Sequence, residues 1–203
     1  MRAAGRTSTK HQFSAQTQRL WGRRQAMFLL RVVLCSLAVA AQAQSATEYQ
    51  VKAAFLFNFA RFVEWPADAF PSPDTPLQIC VFGPDPFGRD FEQLIVDKTV
   101  NGRRIEIAHP EGALQARACQ ILFVSTPEKQ QREILQELNG ASVLTVGDNP
   151  GFVNLGGVIG FVLDDGRVRF EANLKAAERA RLKLGARLLT VAKTVLASDR
   201  GER

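Results

Sequence analysis

The sequence predicts an α/β fold: a single compact domain with a mainly parallel central sheet flanked by helices, a C-terminal hairpin and a long final helix. Three observations predict it. The apolar runs Leu77–Phe82, Gln120–Val124 and Ser142–Val146 have strand length and alternate with helix-length amphipathic segments, the rhythm of βαβ units. Asp164-Asp165-Gly166 lies between two β-rich runs, 158–163 and 168–172, as a hairpin turn would. Finally, Ala177, Ala180, Leu184, Leu188, Val191, Ala192 and Val195 share about one third of a helical wheel, so residues 173–197 read as one closing helix.

Taken in order, residues 1–43 carry seven Arg or Lys and no acid, then an apolar run from Val32 to Ala41 ending in Ala41-Gln42-Ala43. Basic start, short apolar middle and an A-x-A end are the parts of a secretory signal peptide. Met27 offers an alternative start with ordinary signal proportions. Arg23-Arg24 is followed by a poor twin-arginine context, and Leu34 before Cys35 argues against a lipoprotein. The expected mature domain is therefore 44–203, exported to the periplasm.

The mature chain opens on Tyr49–Pro66, YQVKAAFLFNFARFVEWP, with four Phe and a Trp. Ala53, Phe55, Leu56, Phe59, Ala60, Phe62 and Val63 fall on one side of a helix, and Gln50, Asn58, Arg61 and Glu64 on the other. Lys52 interrupts the apolar side near its start. Phe57 points into the polar side, so it is covered either by a later segment of the chain or by a partner.

A proline-punctuated loop, 66–73, leads into the strand Leu77–Phe82. Gly83-Pro84-Asp85-Pro86 then starts a helix carrying Phe87, Phe91, Leu94 and Ile95 inward, with Asp85 as expected N-cap. Asn101-Gly102 turns the chain into a strand, Arg103–Ala108. Ser125-Thr126-Pro127 opens the helix after the strand at 120–124, and Asn139-Gly140 stops it before the strand at 142–146.

Charge and composition exclude several function classes. Removing the 7 basic residues of the presequence from the total of 26 leaves 19 against 20 acids, about −1 for residues 44–203. The basic balance belongs to the presequence, and no nucleic-acid motif is present. The mature part has one histidine, His109, beside a proline in a loop, so neither a Ser-His-Asp or Cys-His arrangement nor a metal ligand set is visible. No catalytic residue, metal or cofactor is expected. The glycine-bearing stretches at 83–88 and 151–160 lack Walker or dinucleotide spacing and read as turns. Arg169, on one face of the last hairpin strand with Arg167, and Asn173 are the candidates for holding a small acidic ligand.

Cys80 and Cys119 are the only cysteines after the presequence. In an oxidising compartment an even count reads as one disulfide; two separate buried thiols are the alternative. Closing a loop of about 40 residues would contribute roughly 3–4 kcal/mol.

The blocks YQVKAAFLFNFARFVEWP, LQICVFGPDPFG, ACQILFVS, VLTVGDNPGFVNLGGVIGFV and VRFEANLKAAERARLKLGARLLTVAK, in this order over residues 48–195, resemble the YfiR-like family of periplasmic proteins. The resemblance implies a non-enzymatic regulator. It would bind the periplasmic part of an inner-membrane diguanylate cyclase and hold it inactive, lowering cyclic-di-GMP signalling and biofilm formation. An outer-membrane lipoprotein that sequesters the regulator and a homodimer are implied as well, and no nucleic-acid partner. Relatives carry cysteines at the positions of Cys80 and Cys119 and a second pair in the segment matching 148–160, which this chain lacks. The resemblance also turns Phe57, with Arg61 and Trp65, into the expected partner-binding surface. A periplasmic small-molecule-binding module feeding a sensor kinase or transporter is the alternative function.

Overall fold

The computed structural model describes residues 48–197, so the expected signal peptide lies outside the described residues. The chain opens with a helix, α1 (residues 48–62). The strands are β1 (Val63–Glu64), β2 (Leu77–Phe82), β3 (Thr99–Val100), β4 (Arg103–Ala108), β5 (Ile121–Val124), β6 (Leu144–Gly147), β7 (Ile159–Asp164), β8 (Arg167–Asn173), β9 (Lys183–Leu184) and β10 (Thr194–Leu196). The other α-helices are α2 (Arg89–Ile95), α3 (Ala113–Ala116), α4 (Glu128–Glu137), α5 (Leu174–Arg179) and α6 (Ala186–Val191), with one 3-10 turn at Ala67–Ala69.

Eight strands form one sheet in the order β10-β8-β7-β6-β5-β2-β4-β3. The pairs β4/β2, β2/β5, β5/β6, β6/β7 and β8/β10 are parallel; β7/β8 and β3/β4 are antiparallel hairpins. The expected α/β domain with a mainly parallel sheet and a late hairpin is therefore present. The turn of that hairpin places Asp165 at φ 49° and Gly166 at φ 71°, two successive left-handed residues that match the twist of the flanking strands.

Successive strand residues face opposite ways, and the sheet accordingly has two cores. Leu77, Ile79 and Val81 of β2 and Ile121 and Phe123 of β5 pack with α1, α2 and α5. Cys80, Leu122 and Val124 pack on the other side with α3, α4 and the buried Phe152. Phe152 lies flat beneath the 147–160 crossover: a Cβ on Gly147 or Gly157 would fall within 2.5 or 2.1 Å of its ring. Those two glycines make room for the aromatic.

Cys80 and Cys119 form a disulfide with a Cα–Cα distance of 6.0 Å. Both are buried. Cys80 lies in β2 and Cys119 just before the neighbouring strand β5, and their bond takes the place of two separate thiols.

Three expectations are corrected. The long final helix does not exist: residues 173–197 break into α5, β9, α6 and β10. Arg181 adopts φ 57° just past α5, which no continuing helix permits. Gly185 N–H donates to Phe62 O at 2.8 Å, and a Cβ there would meet that same oxygen at 2.8 Å. The C-terminal segment thus bends to meet the end of α1.

That meeting is the second correction, because α1 stops at residue 62 and Val63–Glu64 becomes β1, antiparallel to β9. The apolar stripe continues in sequence but not in helix. Third, Asp85 does not cap α2. Its Oδ1 accepts from Phe87 N–H (2.8 Å) and Gly88 N–H (3.4 Å), a local turn that delays the helix to Arg89.

Candidate functional site

Helix α1 has two functional sides, and its sequence explains both. Inward, Phe55 and Phe59 meet Phe161 and Phe170 of the hairpin with ring centroids 5.2–5.9 Å apart. Such stacked, tilted and edge-on contacts span the geometries that aromatic pairs favour. This fixes the helix axis across the sheet.

At its start, α1 is fixed by charge. Lys52 is only 4% exposed. Its ammonium pairs with Glu48 at 2.6 Å and with Asp148 at 2.9 Å, and lies 4.3 Å from the centre of the Tyr49 ring. Tyr49 hydroxyl donates to the same Asp148 oxygen at 2.9 Å. Burial, with the neighbouring Asp148 carboxylate, holds the Tyr49 hydroxyl well above its ordinary pKa, since both disfavour a phenolate. Asp148 follows directly on β6, at the carboxyl end of the parallel strands, where open α/β sheets commonly receive ligands. Here the first turn of α1 fills that edge, and every partner in the cluster is another residue of the chain. The arrangement is an ion-pair anchor.

Lys52 was legible only as an interruption of the apolar stripe. Its partner Asp148 lies 96 residues away, and no local pattern connects them.

Outward, α1 presents the predicted contact residues. Phe57 is half-buried and packs against the core beneath α1, and Lys98 Nζ lies 4.9 Å from its ring centre, so the segment between α2 and β3 shields it further. Arg61, one turn on, is exposed and has no carboxylate partner among the described residues. Trp65 stands apart from them. It follows β1, its indole N–H donates to Gln120 O at 3.1 Å, and it lines a cavity of about 290 Å³ with Phe70 and Arg103. The helix therefore brings Phe57 and Arg61 together and leaves Trp65 beyond its end.

Gln120 escaped the sequence reading. It is buried, its Oε1 accepts from Gln78 N–H and its Nε2 donates to Ala69 O and Ala118 O. It joins the start of β2 and β5 to the loop that carries Trp65.

The remaining candidates are placed as follows. His109 is exposed in a loop. Asn173 caps α5 by accepting from Ala176 N–H (3.0 Å) and donates to Val153 O (2.8 Å). Arg169 sits in β8 opposite Val162. Among the described residues no group of three or more His, Cys, Asp or Glu could hold a metal ion.

Against this geometry, the model of the YfiR/HmsC-like family matches residues 49–193. The chain belongs to the YfiR/HmsC-like family. Family members are periplasmic regulators, not enzymes, in the diguanylate cyclase system, and they act on a membrane signalling protein. The matched span of this YfiR/HmsC-like protein runs from the Tyr49 anchor to Lys193, just before the edge strand β10.

Two solved structures are also similar. One is an ABC domain in complex with L-Trp from Streptococcus pneumonia: TM-score 0.43, 10% identity, covering 59% of this chain and 55% of that one. The other is a conserved domain protein from Vibrio cholerae O1 biovar eltor: TM-score 0.42, 12% identity, covering 58% and 54%. This chain spans about half the length of each.

Proposed function

We propose that this protein is a periplasmic repressor. It binds the periplasmic part of an inner-membrane diguanylate cyclase and keeps the enzyme inactive, lowering cyclic-di-GMP. The observation that carries the reading is the family match across residues 49–193, nearly the whole described domain. Repression of this kind asks only for differential affinity: the regulator binds the inactive conformation of its partner more tightly and draws the population towards it.

The outer side of α1 is the proposed contact. Phe57 supplies apolar area and Arg61 an unpaired cation, and Trp65, beyond the end of the helix, is an aromatic whose indole N–H is already held by Gln120. Aromatic residues and Arg dominate the energetics of such interfaces. Helix α1 holds Phe57 and Arg61 in fixed orientation through the Lys52 anchor and the phenylalanine contacts, so little order must be acquired on binding. The signal peptide at 1–43, the homodimer and sequestration by an outer-membrane lipoprotein belong to the same proposal.

The test is cellular. Deleting the gene should raise cyclic-di-GMP and biofilm formation, and restoring the wild-type copy should reverse both. A copy carrying Phe57→Glu and Arg61→Glu should accumulate normally in the periplasm without restoring repression. Unchanged cyclic-di-GMP in the deletion strain would refute the reading.

A further inference from the structure

A cavity lined by residues of both cores is not used by the proposed contact with a cyclase. It has a volume of about 270 Å³ and lies between the end of α4, the crossover around Gly156 and α5. Leu135 of α4 and Leu138 just past its end form one wall, and Leu155 and Val158 the other. This is just below the usual range of about 300–1,000 Å³ for ligand pockets, so only a compact ligand would fit.

Gln136, Asn139, Thr145 and Arg179 are the polar side chains of the lining, and the last two have hydrogen-bonding capacity left over. At its floor stands Thr145, 5% exposed. Its hydroxyl accepts from Val158 N–H at 3.1 Å, and the hydroxyl hydrogen meets no acceptor among the described residues. At the rim is Arg179, exposed and placed over Gly156: a Cβ there would lie 3.8 Å from its guanidinium nitrogen. Gly156 adopts φ 104°, a conformation that favours glycine, so a side chain that would crowd the guanidinium is not expected there. Arg179 has no carboxylate partner among the described residues, and it is the only charged residue in the lining.

A forked cation beside the aliphatic walls of Leu135, Leu138, Leu155 and Val158, with a spare hydroxyl donor below, matches a molecule with one carboxylate and a small hydrocarbon body. The lining holds no Asp or Glu, so an α-ammonium group would find no counter-charge there while facing the charge of Arg179. We propose that this cavity binds a small apolar monocarboxylate through Arg179, and that it prefers the simple acid to the amino acid of the same side chain.

The purified protein, titrated by calorimetry and followed by two-dimensional NMR, tests this. The probes are 4-methylpentanoate and 3-phenylpropionate, each with its neutral amide, and L-leucine and L-phenylalanine. At least one acid should bind saturably and perturb the resonances of Thr145 and Leu155, with the amides and amino acids about tenfold weaker or more. Arg179→Gln should weaken the acid by about 10- to 100-fold. Ala180→Leu, which fills the chamber, should abolish binding, while both variants keep the wild-type far-UV spectrum. The proposal is overturned if neither acid binds, if amides bind as well as acids, or if Arg179→Gln binds with unchanged affinity. None of these outcomes bears on repression of a cyclase, which is read separately from cyclic-di-GMP.

Discussion

The two faces of the sheet are held by different means. On the α1 face, long helix and hairpin interlock through Phe55, Phe59, Phe161 and Phe170, and a buried ion pair pins the start of the helix. The opposite face is covered by the four-residue α3 and the ten-residue α4. It relies on aliphatic contacts, Phe152 with the half-buried Phe82, and the Cys80–Cys119 bond. One face is stable because it buries much aromatic area; the other buries less and is tied covalently. The lesson is a division of labour. The aromatic face carries the rigid helix of the proposed contact, and the other face is held by its covalent bond.

Several substitutions would break or sharpen this contrast. Phe59→Ala should have the largest effect. The side chain is 2% exposed and touches three other rings, so about 4 kcal/mol should be lost in urea unfolding. Removing the disulfide with Cys80→Ala and Cys119→Ala should follow, at about 3–4 kcal/mol for its sequence separation of 39. The same loss should appear on reduction. Equal sensitivity of the α1-face rings and the α4 methyl groups to reduction, read by NMR, would contradict two separately maintained faces.

Lys52→Met should cost about 2–3 kcal/mol, because two carboxylates lose a buried counter-ion. Asp148 and Glu48 retain some solvent access, which keeps the effect below that of the aromatic truncation.

A smaller effect concerns pH. Tyr49 is the only tyrosine in the chain, so ultraviolet titration of phenolate reports it alone. It should ionise well above the ordinary value of about 10. The unfolded chain releases this proton first. Stability therefore falls as pH rises above about 10, and Tyr49→Phe should remove that component. An ordinary titration would show the anchor to be open to water.

Much of this fold could be read from local pattern. The strands at β2, β5 and β6 announce themselves as apolar runs, and Asp165-Gly166 as a turn, because these signals reside in neighbouring residues. The C-terminal segment deceived for an equally physical reason. Its apolar residues recur at helical spacing, yet the left-handed Arg181 and the contact of Gly185 with Phe62 O interrupt it. That contact joins positions far apart in sequence. Only the glycine inside the pattern hinted at it.

The candidate sites divide the same way. Phe57 stood out because it violated the wheel, and Cys80 and Cys119 because cysteines are few. The Lys52–Asp148 pair, Gln120 and the Arg179 rim depend on register between distant elements, which no single segment records.

The central claim is that the outer side of α1 grips the periplasmic part of a diguanylate cyclase. Titrating the purified protein against that isolated periplasmic part, by calorimetry, tests it most directly. The account predicts saturable binding that Phe57→Glu weakens by at least about tenfold, a loss of about 1.4 kcal/mol, while the variant's own unfolding stays cooperative. Absence of binding by the wild-type protein, or undiminished binding by a folded Phe57→Glu protein, would contradict it.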